Sequence, residues 1–355
     1  MTDYSVYEGT RPVAEAHRFD VAALERYMAA NVPGFRAPLS VEQFRGGQSN
    51  PTYRLAGGDG HAYVMRRKPP GKLLPSAHAV DREYRVTSAL AQVGFPAPRT
   101  HALCTDESVI GTVFYVMDFV DGRVLWDPQL PGIAREERAA LFDEMNRVIA
   151  ALHRVDYAAI GLADYGKPGN YFQRQVDRWS RQYRASETER IEAMDRLIEW
   201  LPANIPSDDA TSIVHGDYRI DNVIFHPREP RVLAVLDWEL STLGHPMADF
   251  SYHAMAWRLS SREFRGLRGA DLRTLGIPSE QEYVARYLER TGMTAWSEKD
   301  WSFCMAYNMF RAAAIFQGVM ARAVAGNAAS AQAIETGKRA RPMAELGWTQ
   351  VEQMR

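Results

Sequence analysis

The stretch Ile213 to Phe225, IVHGDYRIDNVIF, sets a histidine, two aspartates, an arginine and an asparagine between strongly apolar flanks. A second apolar run, VLAVLDWEL, follows within ten residues and carries Asp237 and Glu239. Asp217 lies just after one buried strand, Asn222 begins the next and Asp237 ends the third, so these oxygen-bearing side chains can converge at strand ends. A hard cation such as Mg²⁺ takes one or two carboxylate or carbonyl oxygens and fills the rest of its octahedron with water and phosphate. Asn222 and Asp237 supply such oxygens. A hydroxyl that is to be phosphorylated needs a carboxylate within hydrogen-bond reach to orient it and take its proton late, and Asp217 is placed for that part. His215, on a buried strand before a turn, reads as a structural hydrogen-bonding group. Glu239 reads either as a contact to a second Mg²⁺ or as a solvated side chain.

The elements that must hold these residues are legible from periodicity. VEQFRGG, TYRLAGG and HAYVMRRKP are short runs rich in β-branched and aromatic residues, and the Gly-Gly-Asp-Gly between the last two predicts a hairpin. SAHAVDREYRVTSALAQVG has apolar residues at helical spacing and stops at Gly94, before Pro96 and Pro98. GTVFYVMDFV predicts a further strand, broken by Asp121-Gly122. Beyond it Leu141, Met145, Val148, Ile149 and Leu152 form one apolar stripe, and amphipathic stretches fill 172–201 and 280–325. A strand-rich portion followed by a helix-rich one predicts an α+β chain with two unequal lobes.

Composition narrows the partners. The chain has 355 residues, 46% of them hydrophobic, and a formal charge of −2; at roughly 150 residues per domain this predicts about two folded domains. Near-neutral charge argues against a broad basic face for nucleic acid. Cys104 and Cys304 make no ligand pair, and the first residues lack an apolar signal core, so the expectation is a cytoplasmic protein with free thiols. The apolar segment CMAYNMFRAAAIFQGVMARAV is interrupted by Asn308, Arg311 and Gln317, which predicts a buried helix and no membrane partner.

HGDYRIDN followed by LDWE resembles the catalytic and metal-binding loops of the aminoglycoside phosphotransferase and choline kinase-like family, distant relatives of protein kinases, with the offsets H-x-D-x-x-x-x-N. The resemblance implies a protein-kinase-like fold: an antiparallel-sheet lobe with one helix over residues 1–117, a hinge at 118–122, and a mostly helical lobe over 123–355. It implies ATP and Mg²⁺, with Asp217 as the catalytic base and Asn222 and Asp237 on the metal. FRGGQSNPTYRL then corresponds to the loop over the phosphates, through Gly46, Gly47, Ser49 and Asn50. On the next strand Val64 takes the adenine side, and Arg66 stands where kinases place a lysine against the phosphates. An arginine can bind phosphate bidentately, and Lys68 is a second candidate. Glu83 reads as the acidic partner of that cation or as an exposed charge. YVMDFVDG resembles the hinge, with Met117 beside adenine, or in the core, and the Asp118 carbonyl and Val120 amide on the base's edge. Asp249, in GHPMADF, resembles the family's buried aspartate that braces the catalytic loop.

KPPGKLLPSAHAVDREYRV, GFPAP, VIGTVFYVMDFVDGRV and DPQLPG are similar to the phosphotransferase domain that other proteins carry fused to an acyl-CoA dehydrogenase, over roughly residues 25–345. This implies a hydroxylated small-molecule substrate, a 4-hydroxyacyl-CoA or hydroxy acid, and a functional link to an acyl-CoA dehydrogenase. The basic segment KPGNYFQRQVDRWSRQYR bears on the acceptor too. Arg174, Arg178 and Arg181 share a helical face, which suits an anionic acceptor, with Arg219 as a further contact, or is a solvated face. Two alternatives remain: a kinase of an aminoglycoside or choline-type acceptor, and a nucleotide-binding module without transfer.

Overall fold

A computed structural model describes residues 8–46, 50–69, 79–261, 263–326 and 332–354. The chain divides into two compact units, Met1–Val124 with Ile160–Leu162 and Val223–Leu240, and Leu125–Ala159 with Ala163–Asn222 and Ser241–Arg355.

In the first unit β1 (Thr10–Arg11), β2 (Ser40–Phe44), β3 (Thr52–Ala56), β4 (Ala62–Arg67), β5 (Thr100–Cys104) and β6 (Phe114–Asp118) form one antiparallel sheet in the order β1-β2-β3-β4-β6-β5. The predicted hairpin is β3–β4, closed through Gly57 to Gly60, with Gly60 at φ +81° where a side chain would be strained. Each face of the sheet has its own core. Tyr53, Leu55, Tyr63 and Met65 pack with Leu24 and Met28 of α1 (Val21–Asn31). Val64, Tyr115 and Met117 face the other way, with Val80 at the start of α2 (Val80–Gln92). That alternation is the pleat, and it sets Arg66 on the same face as Val64.

A smaller sheet joins β7 (Arg123–Val124), β9 (Val223–Phe225) and β10 (Val232–Val235) in the order β10-β9-β7. Residues 223–240 were expected with the helical portion and instead cluster with the first unit. The cause is local: β9 pairs with β7, Val235 N donates to Pro96 O at 2.8 Å, and Trp238 meets Phe95 edge-on at 5.9 Å. Gly122 is required there, since a Cβ would sit 2.4 Å from Phe225 O.

The second unit is helical, with a two-stranded ladder of β8 (Ser212–Val214) and β11 (Thr242–Gly244). Its helices are α3 (Arg135–His153), α4 (Tyr171–Ala185), α5 (Glu192–Trp200), α6 (Pro246–Ala254), α7 (Leu272–Leu275), α8 (Glu280–Thr291), α9 (Glu298–Val324), α10 (Ala333–Gly337) and α11 (Ala340–Glu352). Their ends carry the expected chemistry: Pro246 opens α6, and a Ser279–Glu282 capping box starts α8, which ends on Gly292 at φ +69°. α9 is the buried helix read from the sequence. Its three polar interruptions each donate within the fold: Asn308 Nδ2 to Ala248 O and Ser251 Oγ, Arg311 to Gly216 O, and Gln317 to Ser186 O, while Asn308 Oδ1 is buried without a hydrogen-bond partner among the described residues. Among the described residues no helix is long and apolar enough to cross a membrane. Cys104 and Cys304 are buried free thiols.

Candidate active site

The first unit builds a cation between carboxylates. Arg66 leaves β4 nearly buried, and its guanidinium forks: Nε lies 3.0 Å from Glu83 Oε2, Nη2 lies 3.4 Å from Glu83 Oε1, and Nη2 also lies 3.0 Å from Asp237 Oδ1. Glu83 sits in the first turn of α2 and is 1% exposed, so the exposed-charge reading is excluded. Tyr115 Oη donates to its Oε2 at 3.3 Å and Asn50 Nδ2 to its Oε1 at 2.8 Å. Burial opposes the Arg66 charge, and Glu83 and Asp237 more than restore it, so the guanidinium stays charged. Burial pushes the Glu83 carboxyl up, against the pull of Arg66. Lys68 lies past the end of β4 and pairs loosely with Asp81 at 3.9 Å. Arg66 is therefore the cation that meets Glu83.

Asp237 stands at φ +67°, a backbone region sparsely used by any residue but glycine, though tolerated by Asp and Asn. Its Oδ1 faces Arg66 at 3.0 Å. Glu239 is tied to this cluster through Asn50 Nδ2 at 3.5 Å. Val64 and Met117 are cross-strand partners and both buried. The Asp118 carboxylate is engaged by His101 Nε2 at 2.6 Å. Gly46 lies in the coil after β2, and Gly47 and Ser49 fall outside the described residues.

The second unit builds the loop expected to be catalytic. Gly216, at φ +81°, turns the chain after β8, so that the amides of His215 and Gly216 both donate to Asp249, at 2.7 Å each. Asp249, on α6, also meets His153 Nε2 at 3.1 Å. Burial would raise its pKa, and the bonds from His153 and the His215 amide outweigh that and hold it low. His215 is fully buried and its Nδ1 accepts from the Asp217 amide at 3.1 Å. The brace therefore fixes the backbone on both sides of the turn that presents Asp217.

The Asp217 carboxylate is held from several sides. Oδ1 meets Tyr252 Oη at 2.6 Å and Arg219 Nε at 3.0 Å, and Oδ2 meets Asn222 Nδ2 at 3.0 Å and Arg219 Nη2 at 3.2 Å. Asn222 Nδ2 also donates to the Asp217 carbonyl at 2.8 Å, which leaves the amide oxygen of Asn222 as an acceptor and fits a cation ligand. Arg219 in turn pairs with Asp221 at 3.5 Å, and Asp221 with Arg265. Arg311 lies 5.2 Å from the Tyr252 ring centre.

The basic face of α4 is only partly as expected. Arg174 turns back to the carbonyls of Gly169 and Lys167, tying down the loop before its own helix, and so is not free to meet an acceptor. Arg178 lies over Trp179 and remains exposed, as does Arg181. Tyr252 and Arg311 escaped the reading of the sequence. Each carried a signal: Tyr252 follows Asp249 by three residues and so shares its helix face, and Arg311 is the one charge between Asp300 and Arg322 in the apolar middle of α9.

A small antiparallel sheet bearing a carboxylate-paired cation, and a helical unit bearing H-x-D-x-x-x-x-N on a braced loop, define a phosphotransferase of kinase-like architecture. The sequence profile of the phosphotransferase enzyme family matches residues 40–297, and the chain belongs to that family. Acyl-CoA dehydrogenase family member 10 of Mus musculus is 46% identical over 96% of this chain, which spans 32% of that relative's length. A Ralstonia eutropha protein of known crystal structure, assigned as an aminoglycoside phosphotransferase, is 59% identical, with a TM-score of 0.86 over 95% of this chain and 99% of its own. A thermostable mutant of aminoglycoside phosphotransferase APH(4)-Ia, solved with ADP and hygromycin B, shares the fold at 13% identity, with a TM-score of 0.59 over 92% of this chain and 98% of its own.

Proposed function

We propose that this chain transfers the terminal phosphoryl group of Mg-ATP to the hydroxyl of a small anionic acceptor, of the 4-hydroxyacyl-CoA or hydroxy-acid class. The observation that carries the reading is Asp217, an ionisable carboxylate fixed by Tyr252, Arg219 and Asn222 on a loop braced by Asp249. Asp217 orients the acceptor hydroxyl and takes its proton as the new O–P bond forms and ADP leaves. Asn222 and Asp237 would hold Mg²⁺, which neutralises phosphate charge. Arg66, anchored by Glu83, is the cation for the phosphates, with Gly46, Gly47, Ser49 and Asn50 as the loop beside them. Val64 and Met117 supply the apolar surface for adenine, and the Asp118 carbonyl and Val120 amide its polar edge.

Two observations support an anionic acceptor. Around Asp217 the second unit gathers Arg219, Arg265 and Arg311 among the carboxylates of Asp217, Asp221 and Asp249, so guanidinium groups border the base, which suits an anionic acceptor group. Beside Arg219 runs a cavity of about 40 Å³ lined mainly by apolar side chains, among them Phe142, Met145, Trp257 and Phe264, which suits a hydrocarbon segment. The name of the mouse relative favours an acyl acceptor, and with it a functional link to an acyl-CoA dehydrogenase. Arg178 and Arg181, exposed on α4, remain contacts for the acceptor's anionic end.

The test is Mg-ATP-dependent ADP release against 4-hydroxyacyl-CoAs, their free acids, choline and kanamycin, with Asp217→Ala alongside. Turnover confined to the acyl acceptors is the expected result, and Asp217→Ala should lower kcat by about 10²–10⁴-fold while leaving ATP affinity unchanged. Wild-type turnover in the variant would remove Asp217 as base. Turnover only with kanamycin or choline would keep the kinase and discard the anionic acceptor.

A further inference from the structure

Among the described contacts to Asp217, the one from Tyr252 is short, 2.6 Å from Oη to Oδ1, and it comes from outside the catalytic loop. Arg219 and Asn222 belong to the same turn as Asp217 and move with it. Tyr252 is carried by α6, whose Asp249, one turn earlier, holds the His215 and Gly216 amides. One rigid helix therefore grips the base twice, by its backbone and by its carboxylate. The phenol is protonated, so it is the donor in this contact: burial and the neighbouring Asp217 both push its pKa up.

Two further features show that Tyr252 is built in. Arg311, from α9, lies 5.2 Å from the Tyr252 ring centre and donates to Gly216 O at 2.7 Å, fixing the ring and the turn with one side chain. Tyr252 also lines the cavity beside Arg219, so a single side chain borders both the base and the space offered to the acceptor.

We propose that Tyr252 is a positioning residue for phosphoryl transfer, locking the rotation of the Asp217 carboxylate so that it meets the acceptor hydroxyl in one fixed orientation. The proposal rests on Asp217 being the base. Rotational freedom in a catalytic carboxylate lowers the fraction of encounters in reactive geometry, which costs rate and leaves ground-state binding unaffected. Tyr252→Phe keeps the ring under Arg311 and removes only the donor.

The experiment is steady-state kinetics of Tyr252→Phe with Mg-ATP and a 4-hydroxyacyl-CoA, beside wild type, Asp217→Ala and a protein with para-aminophenylalanine at position 252. The urea midpoint of each is measured in parallel. The expected result is a fall in kcat of about 10- to 100-fold in Tyr252→Phe, with both KM values within about twofold of wild type, and substantial recovery with the amino analogue, which restores a donor at the same place. Wild-type kcat in Tyr252→Phe overturns the proposal. So does a loss that tracks a lowered urea midpoint or that the amino analogue fails to reverse, since the contact is then merely structural. Full turnover in Asp217→Ala would instead remove the base itself, a failure of the functional reading that the Tyr252 variants alone do not produce.

Discussion

Arg66 answers a question that a lysine at the same place would not raise. Its planar fork reaches Glu83 through two nitrogens and Asp237 through one of them, whereas a single ammonium has no rigid geometry for such a bridge. The same geometry makes the pair interdependent. Glu83 is 1% exposed, so deleting its cation strands a carboxylate among Tyr115 and Asn50, and deleting Glu83 strands much of the guanidinium. Arg66→Met should lower folding stability by about 3 kcal/mol, and Glu83→Leu by a similar amount. The double variant should lose at least ~1 kcal/mol less than the sum, because neither charge is then left alone. Urea denaturation of the four proteins measures this coupling, and additive losses would show that Arg66 and Glu83 do not depend on each other.

At the scale of elements, α6 joins support to chemistry. Asp249 accepts from two successive backbone amides and from His153, so Asp249→Asn replaces an acceptor by an amide group that meets an N–H with an N–H. A loss of about 2–3 kcal/mol in stability is expected, together with a lower kcat from a loosened turn at Gly216. A variant with the wild-type urea midpoint would show that the brace is dispensable. The strands and helices that carry the site were readable because their patterns are local: a glycine-rich turn between two aromatic runs, and an apolar stripe at helical spacing. HGDYRIDN and Asp249 were readable as a motif, and Asp217 and Asn222 are indeed in contact. Other features had no local signal. Nothing near Arg174 tells that its guanidinium serves the carbonyls of Gly169 and Lys167. Nothing near Asp237 tells that its segment packs with the sheet-bearing unit, since that depends on β9 finding β7 about a hundred residues away. Tyr252 and Arg311 had a local signal of position only, and what they do is defined by partners on other elements.

Across the whole chain, buried titratable groups set the pH range of stability. Burial drives His253 down from 6.5 to about 4, where it stays neutral beside the Tyr283 hydroxyl at 2.8 Å, and burial lowers His245 as well. A histidine held neutral takes up a proton more readily when unfolded, so its contribution is present above the unfolded pKa and is lost as pH falls from 6.5 towards 4. Over that interval His253 alone accounts for on the order of 3 kcal/mol. Asp249, whose folded pKa is lowered, adds a loss at still more acid pH. At the alkaline end burial pushes Tyr218, Tyr283, Tyr287 and Tyr307 well above 10, so the unfolded chain deprotonates first and stability declines as pH rises past that value. The urea midpoint should therefore be nearly level from about pH 7 to 9 and fall on both sides. His253→Gln, neutral at every pH, separates this cause from general acid denaturation: its midpoint should fall less steeply than wild type between pH 6.5 and 4, retaining the part due to His245. Equal slopes for the two proteins would mean that His253 protonates in the folded chain as readily as in the unfolded one.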